Sequence, residues 1–229
     1  RPFLAFISDT MKTQLQIAFL MLAGLLLGAP QTTAATKIWD GSVSGIWTTA
    51  GNWAVNVAGN PSLLVPSALD NITFSANGAA NQSTNLGADF TINTLTINDT
   101  AAVTIAGANT LTLAGDPGLT INAGAGLVTI SSGLALTGAA PMVTVNNTAG
   151  AIFSGVVTSA GSLIKAGTGS LGISGATTVI GPASIAAGTL NILAGGSFTA
   201  LGDGTVANRL AAWDEIGRAS CRERVSSPV

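Results

Sequence analysis

The sequence is poor in charged residues and in side chains that transfer protons. Charged residues make up 8% of the 229 residues, histidine and tyrosine do not occur, and there is a single cysteine. Soluble domains usually carry about a quarter charged residues. Without histidine, neither a Ser-His-Asp nor a Cys-His catalytic arrangement can be assembled. The low charge does not indicate disorder, because 47% of the residues are apolar and disordered chains combine low hydrophobicity with high charge.

The few charges between Thr36 and Asp214 are mostly negative: three cations face seven aspartates, a net charge of −4. Since no basic patch could neutralise phosphates, we do not expect a nucleic-acid partner. Paired carboxylates could cleave a glycosidic bond, but no acid occurs between Asp116 and Asp203. The Gly-Gly-x-Gly-x-Asp repeat of calcium-binding β-rolls does not occur either. We therefore predict no catalytic, cofactor-binding or metal-binding residues, and interpret the aspartates as turn residues.

The N-terminal segment has the pattern of a secretory signal peptide. Residues 11–35 begin with Met-Lys, continue with an apolar run over residues 17–27, and end with small residues, Thr33 and Ala35, at the −3 and −1 positions of a cleavage site before Thr36. The apolar run is too short for a typical membrane span, although a retained membrane anchor is the alternative. We expect the mature chain to be exported.

Segments outside the mature protein are expected at both ends of the chain. Residues 1–10 lie upstream of the expected start. After Asp214 the composition changes abruptly, and the string EIGRASCRERV (residues 215–225) contains both glutamates and the only cysteine. This string resembles the translation of a short-read sequencing adapter. Residues 210–229 are accordingly interpreted as a non-native tail, with a basic C-terminal helix as the alternative, and Cys221 supports no disulfide or metal site.

Short alternating triplets fill much of the remaining chain. Each has an apolar residue, then threonine or alanine, then another apolar residue, and a turn rich in small residues follows. They are Leu95-Thr96-Ile97, Val103-Thr104-Ile105, Leu111-Thr112-Leu113, Leu119-Thr120-Ile121, Val128-Thr129-Ile130, Leu134-Ala135-Leu136 and Val143-Thr144-Val145. A period of two is typical of β-strands that bury one face. We therefore predict a strand about every eight residues, with the apolar residues inside.

Two all-β architectures fit such strands: an antiparallel sandwich or barrel, and a solenoid whose turns stack on one another. The Asn-Gly dipeptide, which is typical of tight hairpins, occurs only at Asn77-Gly78. Three strands of about eight residues each would make a turn near the lower end of the range for solenoid repeats. Neutral Thr, Asn and Gly also suit stacking, because a charge would lie over its own copy in the next turn. These features predict a β-solenoid over residues 89–209.

A longer motif spans residues 161–190. The string LIKAGTGSLGISG (residues 163–175) is followed by a threonine pair and closes with AGTL at residues 187–190. The segment resembles the autotransporter-associated β-strand repeat, except that Gly172 stands where an outward threonine is more usual. The resemblance implies a right-handed parallel β-helix and an exported bacterial surface protein. The Trp-rich opening also resembles the start of such proteins.

Gly167, Gly169 and Gly172 also spell the G-x-G-x-x-G fingerprint of phosphate-binding loops. That fingerprint needs a preceding strand, a following helix and an acid about twenty residues further on, and the sequence predicts none of them. We interpret the three glycines as solenoid corners, where φ must be positive or a side chain would collide.

Trp39, Trp47 and Trp53 lie in a Gly- and Asn-containing region, residues 36–88, ahead of the repeats. Their rings could form a platform on which sugars stack. They could also shield the apolar end and the free strand edge of the first solenoid turn. We favour the second interpretation, an N-terminal Trp-rich cap.

Together these features predict a non-catalytic, exported, adhesin-like structural protein, a passenger-type stalk at the cell surface, in the outer membrane or outside the cell. We expect an unknown surface or extracellular partner, with glycans as one class, no cofactor, and membrane contact only through the signal peptide or a C-terminal region beyond this sequence. The alternative is a carbohydrate-binding or polysaccharide-cleaving β-helix. Exposed tryptophans and clustered aspartates would favour the alternative, whereas buried tryptophans and dispersed aspartates would favour the structural role.

Overall fold

The computed structural model describes most of the chain after the predicted signal peptide. The described residues are 34–56, 62, 64–75 and 79–201. The upstream segment, nearly all of the predicted signal peptide and the predicted tail lie outside them. Within the described residues there are twenty β-strands and one short 3₁₀ helix, Ala50–Asn52. None of the helical structure there is long and apolar enough to cross a membrane.

The strands form three sheets, and each complete turn of the chain contributes one strand to each sheet. Sheet A contains β1 (Thr36–Trp39), β2 (Trp53–Ala54), β3 (Asn71–Phe74), β6 (Thr94–Ile97), β9 (Leu119–Ile121), β12 (Met142–Val145), β15 (Leu163–Ala166) and β18 (Ala183–Ile185). Sheet B contains β4 (Ser83–Asn85), β7 (Val103–Ala106), β10 (Val128–Ile130), β13 (Ala151–Phe153), β16 (Ser170–Ile173) and β19 (Thr189–Ile192). Sheet C contains β5 (Phe90–Ile92), β8 (Thr110–Leu113), β11 (Gly133–Leu136), β14 (Val157–Ser159), β17 (Ala176–Val179) and β20 (Ser197–Ala200).

Strand pairing within the described residues is parallel except between β1 and β2, which pair antiparallel. In sheet A, Leu95 pairs with Leu119, and Leu119 pairs with Val143, so each of these turns takes 24 residues. Val143 pairs with Lys165 after 22 residues, and Lys165 with Ile185 after 20. The predicted all-β parallel β-helix is therefore confirmed, and the sandwich or barrel alternative is wrong.

The predicted triplets form seven consecutive strands, β6 to β12, with the expected faces. Their apolar residues are at most 1% exposed, while the middle residues lie on the outer surface. Each fully buried Leu, Ile or Val contributes about 1.5–3 kcal/mol relative to an exposed one. One continuous hydrophobic core therefore runs along the inside of the coil.

Six complete turns follow one another from β3 to β20. The first begins at Asn71, within the region that the sequence assigns to the cap, because Asn71–Phe74 has the same inward and outward alternation as the later strands. The segment ahead of it, from β1 to β2, lies at the N-terminal end of the coil.

Candidate functional site

Three tryptophans and two phenylalanines pack together at the N-terminal end of the coil. Trp39, Trp47 and Trp53 are at most 1% exposed. Trp53 meets Trp39 and Trp47 edge-on, with ring centroids 5.0 and 5.1 Å apart. Trp39 stacks on Phe74 at 5.6 Å, and Phe90 meets Trp47 edge-on at 5.6 Å. Edge-on and offset contacts are the favoured geometries of aromatic pairs, so these ring faces are covered by other rings.

Each indole N–H of the cluster donates to a protein acceptor. Trp39 Nε1 donates to Ala80 O at 3.0 Å. Trp47 Nε1 donates to Thr84 Oγ1 at 3.0 Å, and Trp53 Nε1 donates to Trp47 O at 2.8 Å. With their faces packed and their donors paired, these three rings form a structural cap. They do not form an exposed platform for sugars.

The cap also covers strand edges. β2 pairs with β1 on the outermost side of sheet A, through Ile38 with Ala54 and Trp39 with Trp53. Ile46 forms a parallel bridge with Asn85 in β4, the first strand of sheet B. Free edges attract other strands and promote aggregation, so these pairings protect two of the three sheets at this end.

A buried asparagine holds the cap loop in shape. Asn52 is fully buried. Its Oδ1 accepts the N–H groups of Val43 (3.0 Å) and Ser44 (2.8 Å). Its Nδ2 donates to Ser44 Oγ (2.9 Å) and Ile46 O (2.7 Å). The sequence carries little signal for this role beyond the position of Asn52 next to a tryptophan.

The described aspartates are dispersed along the chain and stabilise loops. Four of them accept a backbone N–H at 2.8–3.0 Å: Asp70 from Ser67, Asp89 from Thr110, Asp99 from Ala101, and Asp116 from Ala140. Asp40 accepts the hydroxyl of Ser42 at 2.8 Å. Among the described residues, no three His, Cys, Asp or Glu side chains are grouped so that they could hold a metal ion. The hydrogen bonds of these five carboxylates agree with their interpretation as turn residues. Asp203 and Asp214 lie outside the described residues.

Two buried lysines occupy one inward-facing column of sheet A. The paired positions of this column are Lys37, Ile72, Leu95, Leu119, Val143, Lys165 and Ile185. Lys37 is 8% exposed and Lys165 is 3% exposed. Removing an ammonium from water costs several kcal/mol unless hydrogen bonds replace the lost hydration, so the partners of each Nζ matter.

Lys37 joins the segment after the cap to the coil. Its Nζ donates to Leu64 O (2.9 Å), Val65 O (3.0 Å) and Ser62 Oγ (3.2 Å). It also lies 3.7 Å from Asp70 Oδ2, which gives it a compensating charge.

Lys165 lies inside the corner between sheets A and B. Its Nζ donates to three carbonyl oxygens: Ala166 O at 2.8 Å, Gly167 O at 2.9 Å and Ala187 O at 3.1 Å. The first two belong to its own turn and the third to the next one, so the side chain ties two turns together. Burial lowers the pKa of Lys165 below its ordinary value. The ammonium thus binds main-chain carbonyls of two successive turns at this corner.

A small cavity adjoins Lys165 inside the last turns. It is lined by apolar side chains such as Phe153 and Phe198 and by Thr177, whose buried Oγ1 has no hydrogen-bond partner among the described residues. Its volume of about 10 Å³ is close to the least that one water needs. Ligand pockets usually measure hundreds of cubic ångströms, so this cavity is far too small for a sugar or a cofactor.

Two of the three glycines in the G-x-G-x-x-G string lie at a corner of the coil. Gly167 has φ +77°, and a Cβ there would lie 2.3 Å from Val145 O of the preceding turn. A Cβ on Gly169 would lie 2.5 Å from Asn147 O. The prediction of a corner is wrong for Gly172, which lies within strand β16. The side chain of Leu193 in the next turn covers its outer side at 2.8 Å from where a Cβ would be. The string is followed by strand rather than helix, so it lacks the helix N-terminus of a phosphate site.

The described residues thus contain a structural cap, aspartates that stabilise loops, and two buried lysines whose ammonium groups are hydrogen-bonded. Compared with protein-family models, curated protein sequences and solved structures, the chain matches none of them. The likeness of residues 161–190 to the autotransporter-associated repeat rests on its sequence pattern alone.

Proposed function

We propose that the chain is a non-catalytic, exported β-solenoid that acts as a rigid, adhesin-like stalk at a bacterial cell surface. The observation that carries the proposal is the single hydrophobic core running through six stacked turns and closed at one end by the buried Trp cap. A solenoid of this kind grows by adding turns and has a large surface for its length. Such a shape suits spanning a distance and presenting a surface.

The position of the first strand supports export. β1 begins at Thr36, the residue that follows the predicted signal-peptide cleavage site. Removal of residues 11–35 would therefore leave the whole of β1 available to pair with β2 and β3. The absence of cysteine between Thr36 and Asp214 means that the coil would need no disulfide in any redox compartment.

The use of the polar groups supports a structural role. The described aspartates stabilise loops, and Lys165 binds main-chain carbonyls. Residues 161–190, the segment that resembles the autotransporter-associated repeat, contribute Lys165 and Gly167 to a corner where successive turns are in contact. These residues therefore have a structural explanation that requires no substrate.

The experiment is expression of the full chain in a bacterium, followed by cell fractionation and N-terminal sequencing. We expect surface or extracellular protein that begins at Thr36. Ala35→Arg changes the −1 position and should block cleavage, whereas Ala34→Arg changes the neighbouring −2 position and should leave it intact. Cytoplasmic protein with an unprocessed N-terminus would contradict export.

The same purified protein separates the structural role from the carbohydrate alternative. We expect no binding on a glycan array and no release of reducing ends from a panel of polysaccharides. Saturable glycan binding or cleavage that persists after repurification would overturn the structural proposal in favour of the carbohydrate-active one.

A further inference from the structure

The outer surface of the later turns carries almost no charge. Between Pro117 and Leu201 the only charged residue is Lys165, and it is 3% exposed. Surfaces that keep proteins soluble and apart usually contain about 25–35% charged residues of both signs. This part of the coil therefore has no electrostatic barrier to close approach by a neutral surface.

Sheet C presents a row of small side chains in which five of the six outward positions are threonine and one, Ala135, has no hydroxyl. Its outward positions pair in register from turn to turn: Thr91, Thr112, Ala135, Thr158, Thr178 and Thr199. We call this row the C face. Neighbouring positions are separated by the strand spacing of about 4.8 Å. The last three threonines are exposed, so their hydroxyl and methyl groups reach solvent.

The other two sheets lack an equally exposed row. In sheet A, four threonines stack (Thr73, Thr96, Thr120 and Thr144), but each is only partly exposed and Ala166 ends the row. In sheet B, Ile152 and Gly172 interrupt the corresponding row. Of the three rows, the C face is thus the one with a run of consecutive exposed threonines, from Thr158 to Thr199.

Exposed aliphatic side chains border the C face at its C-terminal half. Val156 is 60% exposed immediately before β14. Ile180 and Leu201 are 59% and 60% exposed immediately after β17 and β20. Since Val179 pairs with Ala200, Ile180 and Leu201 lie side by side on adjacent turns. Apolar groups of this size next to neutral hydroxyls favour burial against a partner.

We propose that the C face is a contact surface for a second copy of this chain. Another copy necessarily has the same strand spacing, so the threonines of two such rows can meet in register on either side of Ala135. A threonine hydroxyl both donates and accepts hydrogen bonds, so identical rows can pair. A two-fold arrangement buries the same patch on both copies, and none of the six positions of the C face is charged.

The size of the C face predicts a reversible contact. The six strands of sheet C are three or four residues long. At a strand spacing of about 4.8 Å and a rise of about 3.3 Å per residue, the face around the row covers on the order of 400 Å² per partner. Stable complexes usually bury about 800 Å² per partner. We therefore expect monomers and dimers in exchange, with the dimer fraction rising with concentration. Pairing through the C face would hold for the coil whether or not the chain serves as a surface stalk.

Two matched lysine variants of the full chain test this contact by sedimentation velocity over a concentration series. Thr158→Lys places a charge on the C face, and Thr144→Lys places one on sheet A in the same turn. Both add one positive charge at an outward threonine. We expect wild type and T144K to show the same concentration-dependent rise in sedimentation coefficient, and T158K to dimerise at least tenfold more weakly.

Several outcomes would overturn the proposal. One is a wild-type chain that stays monomeric at every concentration. Another is equal weakening by T158K and T144K, which would indicate a general charge effect. Association that T158K leaves unchanged would place the contact at the ends of the coil or in the residues beyond Leu201. If T158K fails to give the wild-type circular dichroism spectrum, Thr178→Lys repeats the test one turn further along the C face.

Discussion

Replacing Gly167 by alanine tests the stacking of turns at a single backbone position. Gly167 has φ +77°, and a Cβ built on it lies 2.3 Å from Val145 O in the preceding turn. The left-handed conformation costs an L-residue about 1–2 kcal/mol, and an extra carbon in a packed region costs about 1–3 kcal/mol. We therefore expect Gly167→Ala to lower the free energy of unfolding by about 2–5 kcal/mol.

Gly124→Ala is the matched control, because a Cβ at Gly124 meets nothing within 4 Å and its φ lies outside the left-handed region. Its free energy of unfolding should stay within about 0.5 kcal/mol of wild type, or rise by about 0.4–1 kcal/mol from the stiffer unfolded chain. The assay is urea denaturation followed by far-UV circular dichroism. In a thermal scan, G167A should melt about 4–20 °C lower than wild type. Equal stability of G167A and G124A would refute the close approach of the two turns.

Asn52→Ala empties a fully buried position and removes the acceptor of two backbone N–H groups, so we expect the cap to lose about 1–3 kcal/mol of unfolding free energy. The tryptophan fluorescence should then change at lower urea than in wild type, and an unshifted denaturation curve would contradict the role of Asn52. Leu119→Ala truncates a fully buried side chain and should cost about 2–5 kcal/mol, whereas Thr120→Ala, on the outer face, should change the free energy of unfolding by at most about 0.5 kcal/mol. Equal losses of unfolding free energy in L119A and T120A, measured by urea denaturation, would contradict the alternation of inward and outward residues in β9. Burial lowers the pKa of Lys165 in the folded chain below the ordinary value of 10.5. Between the lowered pKa and 10.5 the unfolded chain therefore binds more protons than the folded chain, so the free energy of unfolding rises with pH in this window. In Lys165→Met this rise should be absent when the free energy of unfolding is measured by urea denaturation at successive pH values. The same pH dependence in K165M and wild type would contradict a lowered pKa of Lys165.

The strand faces could be predicted from the sequence because alternation is a local property. Leu119, Thr120 and Ile121 show which residues face inward without any knowledge of the strand above or below. The burial of Trp39 and Trp47 was also predictable, since the first turn of a solenoid has an apolar end to cover. The same reasoning applied to Asn71–Phe74 would have placed the start of the coil earlier, because that string alternates like the later strands.

Features that depend on pairing between turns could not be predicted in this way. Lys165 is in phase with Leu163, so its inward direction has a local signal. Its carbonyl partner at Ala187 depends on the length of the intervening turn. Gly172 belongs to a strand rather than a corner because the turn that follows Gly167 is short. The four hydrogen bonds of Asn52 require the folded cap loop, which has no repeating pattern.

The most direct test of the stacked coil is a set of pulsed EPR distances between spin labels on the C face, in a chain whose Cys221 is replaced by serine. Labels at positions 91 and 199 are separated by five strand spacings, about 24 Å along the coil, and labels at 112 and 199 by four, about 19 Å. The parallel register predicts that the second distance is shorter than the first by about one spacing, 4.8 Å. Two distances that do not differ by this step would contradict the stacking of successive turns.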